Sequence, residues 1–547
     1  MKPLSGLDAT FLYLETPEMP MHVGSMVVYE LPADFKGSFY QAVHDHLAKR
    51  VHLAPIFTRK LAFMPFDLGH PLWVEDDTFD LHFHLRQVPG SNLTVRQMET
   101  AVARLHGQLI DREHPLWEFH IFDSLKGADG KRLVGMYSKI HHAGLDGKGG
   151  TVLANAMLDL GPVPRDVAPP DPARKGRTRA DMKIGEMIGA AFSNTLAQYA
   201  KIARSLPETA SSIRSAIGDQ SFSKEGAKGL ARLKPKAPMS LAPQTPFNVA
   251  ITRHRTFATV SVPFAECRTM AKAVGGTFND IVLWMCSTAL RSYLQQHASV
   301  PKKPLIAAMP VSLREESNKE LNNQASMSLV DLGSHIANPV KRLEAIMAST
   351  SKVKAALVNL KGVLPTNYPG LLAPLLVGGL AKLAFKTVSI GGIVERLPAF
   401  ANVAISNVPG PAVPLYLAGA RMQTFYPVSI ITHGLALNIT IQTYAGNVDF
   451  GLVGDKQAVP AIHDLTDALQ AAFEQGKELF VLPAPPVDAK PPLASVVTRT
   501  PTARKVSKAT TSKIPESKAK TVRKPSAAKT ATVVSTTTAA RKRAKPA

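Results

Sequence analysis

Residues 131–150 read "KRLVGMYSKIHHAGLDGKGG". The first half has the apolar, β-branched and aromatic character of a buried strand, and it runs straight into two adjacent histidines, His141 and His142. Four glycines then fall within residues 144–150, with Asp146 among them. Just upstream, "LWEFHIFDSL" at 116–125 is a second strand candidate, and "KGADG" at 126–130 carries an Asp-Gly turn signal between the two. The pieces predict a β-hairpin whose second strand delivers the histidine pair at its end. Alternation along a strand sends the two rings to opposite faces, so one of them faces any given cavity. The glycines let the following turn close and a substrate approach the backbone. "TVLANAMLDL" at 151–160 then predicts a helix.

An imidazole with a pKa near 6.5 can take a hydroxyl proton at neutral pH and return it to a leaving group. Two plainer readings compete. A histidine at a strand end is more often a hydrogen-bonded surface or core group than a base. A metal site is the other reading, but neighbours on opposite faces make poor joint ligands, and no further His or Cys cluster accompanies them.

At 547 residues the chain exceeds what one core ordinarily fills, so two domains with accessory segments are expected. Cys267 and Cys286 lie in helical-looking stretches without metal or redox spacing. That argues against a disulfide framework or a cysteine-zinc site and for a reducing compartment. The N-terminal stretch has one basic residue, early acids and no sustained apolar run, unlike a secretory signal. The most lipophilic stretch, "LLAPLLVGGLA" at 371–381, is broken by Pro374 and is about half the roughly twenty residues a bilayer needs. The expected location is cytoplasmic, soluble or peripheral to the membrane. No G-x-S-x-G elbow offers a serine nucleophile, and no G-x-x-x-x-G-K-[ST] loop offers a nucleotide site.

Four blocks follow along the chain. Residues 1–160 mix short strand patterns, such as "MHVGSMVVYEL" and "FDLHFHLRQV", with helical ones such as "TVRQMETAVARLHGQLI". Residues 161–245 are a Pro-rich and helical connector. From 246 to 482 strands and helices resume: "HRTFATVSVP" and "LALNITIQTYAGNVDFGLVG" read as strands, and "NDIVLWMCSTALRSYLQQH" as a helix with Ile281, Val282, Met285, Ala289 and Tyr293 on one face. Residues 483–547 are rich in Lys, Ala, Thr, Ser and Pro, a composition expected to be disordered. From Ala484 onward 15 Lys/Arg face only Asp488 and Glu516, so this tail carries +13 of the net charge of +22 and leaves +9 on the body.

His141-His142-x-x-x-Asp146-Gly147 resembles the HHxxxDG signature of acyltransferases related to chloramphenicol acetyltransferase and peptide-synthetase condensation domains. "PLSGLDATFLYLETPEMPMHVGSM" at 3–26 narrows the resemblance to the bacterial wax ester synthase/diacylglycerol acyltransferase family. So do "PLW" at 115–117, Asn279-Asp280, "PVSLR" at 310–314, "SNVPGP" at 406–411 and "GLALNITIQTYAG" at 434–446, in that order. "PLW" also occurs at 71–73 and is weak alone. The basic tail is the departure from the family core.

The resemblance implies an α/β (α+β) fold of two chloramphenicol-acetyltransferase-like sandwich domains joined by a helical connector, with a tunnel at their interface reaching His142 from both sides. It implies that His142 is the general base, that His141 supports the loop, that Asp146 holds the turn through a basic partner, and that Gly147 is the hinge. An alcohol would attack an acyl-CoA thioester directly, with no acyl-enzyme, no cofactor and no metal; acyl-CoA is a substrate. The acceptor would be diacylglycerol, a long-chain alcohol or both, giving triacylglycerol or wax ester. Asn279 gains a supporting polar role, although "TFND" reads equally as a helix start, with Thr277 or Asn279 as cap and Asp280 placed against the helix dipole. Asn407, Pro409 and Gly410 would line the tunnel or form a simple turn. Trp117 reads as core packing. The tail suits an anionic membrane or lipid-inclusion surface; non-specific nucleic acid is the alternative, without aromatics for base stacking. Two other functions stay open: a condensation-like enzyme acylating a specialised or carrier-bound substrate, and a non-catalytic lipid-inclusion or DNA-associated protein. Oligomeric state is not legible.

Overall fold

The computed structural model of the chain describes residues 4–63, 70–127, 130–145, 149–171, 242–312, 325–360 and 398–481. Asp146 and Gly147, most of the connector, Leu313 and Arg314, the stretch 371–381 and the tail lie outside the described residues. The chain divides into the units Met1–Pro483 and Ala484–Ala547, and the described residues all belong to the first.

The described strands, in chain order, are β1 (His22–Glu30), β2 (Arg59–Ala62), β3 (Leu72–Glu75), β4 (Leu85–Gln87), β5 (Trp117–Leu125), β6 (Leu133–His141) and β7 (Arg255–Pro263). They continue with β8 (Ile306–Ser312), β9 (Ala325–Asp331), β10 (Val403–Val408), β11 (Tyr416–Leu417), β12 (Ala420–Val428), β13 (Leu437–Tyr444) and β14 (Asn447–Asp455). Twelve of these form two mixed sheets, in the orders β11-β12-β1-β6-β5-β4 and β7-β14-β13-β10-β8-β9, so the two-sheet α/β architecture expected from the sequence is present.

The expected hairpin forms: β5 and β6 pair antiparallel, with Trp117 opposite Ile140, and Gly130 takes the positive φ of +73° that the turn requires. β6 sits between β1 and β5 and is buried along almost its whole length, which accounts for the apolar run at 133–137. The helix Val95–His106 opens with a reciprocal capping box between Thr94 and Gln97, and the histidine turn is followed by the helix Gly149–Met157.

Two elements differ from their sequence reading. "FDLHFHLRQV" alternates like a strand, yet Leu81–His84 is a helical turn and only Leu85–Gln87 is strand. The cause is local: the Asp80 carboxylate accepts the His82 N–H at 2.9 Å and starts the turn. In Phe278–His297 the five predicted positions are buried, but so are Leu283, Trp284 and Cys286. Helices Phe264–Ala273, Pro339–Leu360 and Ile462–Phe480 surround this one, so it has no solvent face in its middle turns.

Residues 416–428 lie in the third sequence block but pair in the first sheet, where β12 runs antiparallel to β1. The crossing ties the halves together. Gly451 on β14 lies so close to Pro427 on β12 that a Cβ there would stand 1.8 Å from the Pro427 carbonyl oxygen. The Asp449 carboxylate accepts the Phe425 N–H at 2.7 Å and the Ser261 hydroxyl at 2.6 Å; burial pushes this acid up to about 6. Glu99 accepts the Thr259 amide at 2.8 Å and pairs with His463 at 2.9 Å. Among the described residues no helix is long and apolar enough to cross a membrane.

Candidate active site

The register of β1 against β6 places His22 directly opposite His141, with ring centroids 5.9 Å apart. Both side chains are fully buried, which neither tolerates without polar partners. His22 Nε2 donates to the Gln108 carbonyl at 3.0 Å. Its Nδ1 lies 3.7 Å from the Glu15 carboxylate, and burial, reinforced by Lys139, holds the ring well below the usual histidine pKa and therefore neutral.

His141 Nδ1 accepts the Ala143 N–H at 3.1 Å, and its Nε2 stands 3.3 Å from Glu15 Oε1. With Nδ1 occupied as an acceptor, the ring's proton is on Nε2, on the side of the carboxylate, a close approach outside hydrogen-bond geometry. Glu15 accepts two guanidinium N–H groups of Arg112, at 2.6 and 3.2 Å, and the Met21 amide at 2.9 Å. Burial alone would raise the acid, but His141, His22 and Arg112 outweigh it and hold the carboxyl down to about 2. Glu15 is ionised throughout the neutral range.

Two residues before His141, on the same face of the strand, Lys139 is completely buried. Its ammonium reaches Glu118 at 3.0 Å and the carbonyls of Leu105 and Gln108 at 3.3 and 3.1 Å, while burial lowers its pKa. The Lys139 ammonium beneath His141 is thus paired with a carboxylate and two carbonyls, the condition under which a buried charge is tolerated.

β6 ends at His141, and His142 opens a single turn of 3₁₀-helix, so the two rings part where strand gives way to turn. The His142 N–H donates to the Met21 carbonyl at 2.8 Å. Its ring stacks on Phe11 with centroids 3.8 Å apart and planes 15° from parallel. Burial pushes its pKa down to about 4, so the ring is neutral at pH 7. Nδ1 is buried without a hydrogen-bond partner among the described residues. The turn packs on an apolar cluster of Leu4, Ala9, Leu12, Leu61, Ile110 and Leu116 around Ala143. Trp73, from the "PLW" at 71–73, also packs there and faces Gly144. Trp117 is buried core, as expected, and donates its indole N–H to the Phe57 carbonyl.

The remaining candidates gather in the second half. Asn407 on β10 reaches Asn279 at 3.4 Å, so the structure brings these two together. Asp280 forms a capping box with Thr277 and accepts the Thr350 hydroxyl at 2.7 Å, tying two helices: a structural duty. Gly410 donates its N–H to Thr443, and a Cβ there would stand 2.1 Å from the Thr443 carbonyl oxygen, so close approach demands glycine. Pro409 is exposed beside it. Among the described residues no group of three His, Cys, Asp or Glu is placed to hold a metal ion. Burial pushes both cysteine thiols up to about 12, leaving them unreactive.

Sequence reasoning missed Glu15, Phe11, His22 and Arg112. The available signal was the i, i+4 spacing of Phe11 and Glu15 at the end of an apolar run, which puts both on one side of the helix Gly6–Leu14 and its C-cap.

The family model described as the wax ester synthase/diacylglycerol acyltransferase catalytic domain matches residues 4–282, and that of the WS/DGAT C-terminal domain matches residues 321–477. A probable diacylglycerol O-acyltransferase of Mycobacterium tuberculosis is 32% identical over 478 residues, 85% of this chain and 97% of the relative. The O-acyltransferase WSD of Acinetobacter baylyi is 32% identical over 483 residues, 87% and 96% of the two chains. The solved wax ester synthase/diacylglycerol acyltransferase of Marinobacter aquaeolei VT8 superposes with a TM-score of 0.60 at 28% identity, covering 87% of this chain and 99% of that one. The chain is an acyltransferase and belongs to the wax ester synthase/diacylglycerol acyltransferase family.

Proposed function

We propose that the protein transfers a long-chain acyl group from acyl-CoA to diacylglycerol, to a long-chain fatty alcohol, or to both, forming triacylglycerol or wax ester. The observation that carries this reading is the His142 ring: neutral, stacked on Phe11, and held at the end of β6 beside an apolar cluster. In the tautomer protonated on Nδ1, Nε2 keeps a lone pair for the acceptor hydroxyl. The hydroxyl gives its proton to Nε2 as its oxygen attacks the thioester carbon. The tetrahedral intermediate collapses, the C–S bond breaks, and the proton passes to the sulfur, releasing ester and free coenzyme A. No enzyme-bound acyl group forms. A positioned base of this kind is worth about 10²–10⁴-fold. Burying a long acyl chain at roughly 0.8 kcal/mol per methylene supplies on the order of 10 kcal/mol of binding. The names of the relatives, which include diacylglycerol acyltransferases and a wax ester synthase, support both acceptors. The basic tail brings the enzyme to the anionic membrane or lipid-inclusion surface where such acceptors reside.

The test is to incubate purified protein with palmitoyl-CoA and either hexadecanol or a diacylglycerol, following ester and thiol together. Equal amounts of both products with at least one acceptor are expected; absence of both with either acceptor contradicts the reading. A pH profile adds a second check. A base must be deprotonated to act, so activity is lost as pH falls through its pKa. With His142 near 4, kcat/KM stays flat from about pH 8 to about pH 5.5 and falls only below that. An acidic limb centred at about 6.5, the value of an unburied imidazole, would contradict this environment for the ring.

A further inference from the structure

We propose that Glu15 is a positioning residue for the reaction, acting through His141 and Met21 to hold the His142 turn in its working geometry. The inference rests on His142 being the base.

Three contacts converge. First, Glu15 Oε1 faces His141 Nε2 at 3.3 Å. A carboxylate there selects the tautomer protonated on Nε2 and frees Nδ1 to accept the Ala143 N–H, which fixes the backbone immediately after His142. Second, the same oxygen accepts the Met21 N–H at 2.9 Å, and the Met21 carbonyl accepts the N–H of His142 itself at 2.8 Å. The amides of residues 142 and 143 are therefore both held by groups against Glu15, Met21 by a hydrogen bond and the His141 ring by close approach to the charge. Third, Phe11 lies four residues before Glu15 and stacks on the His142 ring. The helix Gly6–Leu14 and its C-cap Glu15 thus grip the two histidines side by side, one by an apolar face and the other by a charge. Arg112 fixes the carboxylate from the far side with two N–H groups and also donates to the Leu12 carbonyl, closing the helix end onto the network. His22 is the remaining titratable group against Glu15, and its own donor is committed to the Gln108 carbonyl.

A ligand-free ion pair would explain burial of Glu15 against Arg112. It would not explain why the carboxylate shares one oxygen between the His141 ring and the amide that leads to His142. That sharing makes this a positioning device.

Glu15→Gln keeps the size and can still accept the Met21 amide, but it removes the charge that selects the His141 tautomer. The expected result is a kcat lower by about 10- to 100-fold, the scale of a small misplacement at a reacting centre. KM for acyl donor and acceptor should stay within about threefold, and the melting temperature should fall by no more than about 5 °C. Glu15→Asp, which keeps the charge, should recover part of kcat. Because Glu15 acts through His141, the double variant Glu15→Gln/His141→Gln should be no slower than the slower single variant. A raised KM with unchanged kcat, additive losses in the double variant, or activity lost only in proportion to unfolded protein would each overturn the proposal. His142→Ala, assayed alongside, separates the two levels. If it retains full turnover, the catalytic reading fails and this inference with it. If it is inactive while Glu15→Gln is fully active, this inference alone fails.

Discussion

His142→Ala is expected to lower kcat by about 10²–10⁴-fold, equivalent to roughly 3–5 kcal/mol of transition-state stabilisation, with KM for acyl-CoA little changed. The loss is confined to turnover because the ring meets the acceptor hydroxyl during proton transfer and contributes little to holding the acyl chain. The fold should survive the change. His142 is tied into the protein by its backbone N–H to Met21, which alanine keeps, and by the stack on Phe11, which alanine loses. Steady-state kinetics with a melting curve on the same preparation check this. A variant that is folded and fully active would show that the ring is a packing group.

Gly451→Ala is expected to have the largest effect on stability. The new methyl would stand 1.8 Å from the Pro427 carbonyl oxygen and 2.9 Å from its carbon, both backbone atoms that no rotamer change can remove. β12 must then retreat from β14, and it is hydrogen-bonded to β1, which in turn pairs with β6. Overpacking of this kind costs about 3 kcal/mol or more. At about 2.1 cal/mol/K per residue over roughly 480 residues, that corresponds to a fall of only about 3 °C in melting temperature. The more telling readout is a drop in kcat, because the displacement propagates through two strand pairings to His141. Calorimetry and kinetics on the variant test it; unchanged values for both would mean that the two sheets do not meet at Gly451.

The histidine hairpin was legible because its signals are local: an apolar run, an Asp-Gly turn and a glycine-rich exit all lie within about forty residues. The strand character of β13 and β14 was legible for the same reason, and the structure joins them by a turn at Ala445 and Gly446, both at positive φ. What escaped is non-local. Nothing in residues 416–428 marks them for the first sheet, since that pairing depends on the whole second half docking against β1. Helical and strand periods coincide over short spans, so Leu81–His84 was hidden until the Asp80 cap decided between them. Gly410 read as a tunnel-lining or simple turn glycine, and only the approach of Thr443 shows why no side chain fits. Glu15 escaped because its meaning comes from a strand register: His22 and His141 lie 119 positions apart in sequence and meet only when β1 pairs with β6.

The most direct test of direct, base-assisted transfer is rapid mixing of enzyme with palmitoyl-CoA, with and without a long-chain acceptor, while free thiol is followed from the first turnover. The mechanism predicts no thiol burst without acceptor, and thiol and ester rising together in equal amounts with it. A stoichiometric burst of thiol in the absence of acceptor, accompanied by an acyl mass on the protein, would contradict it.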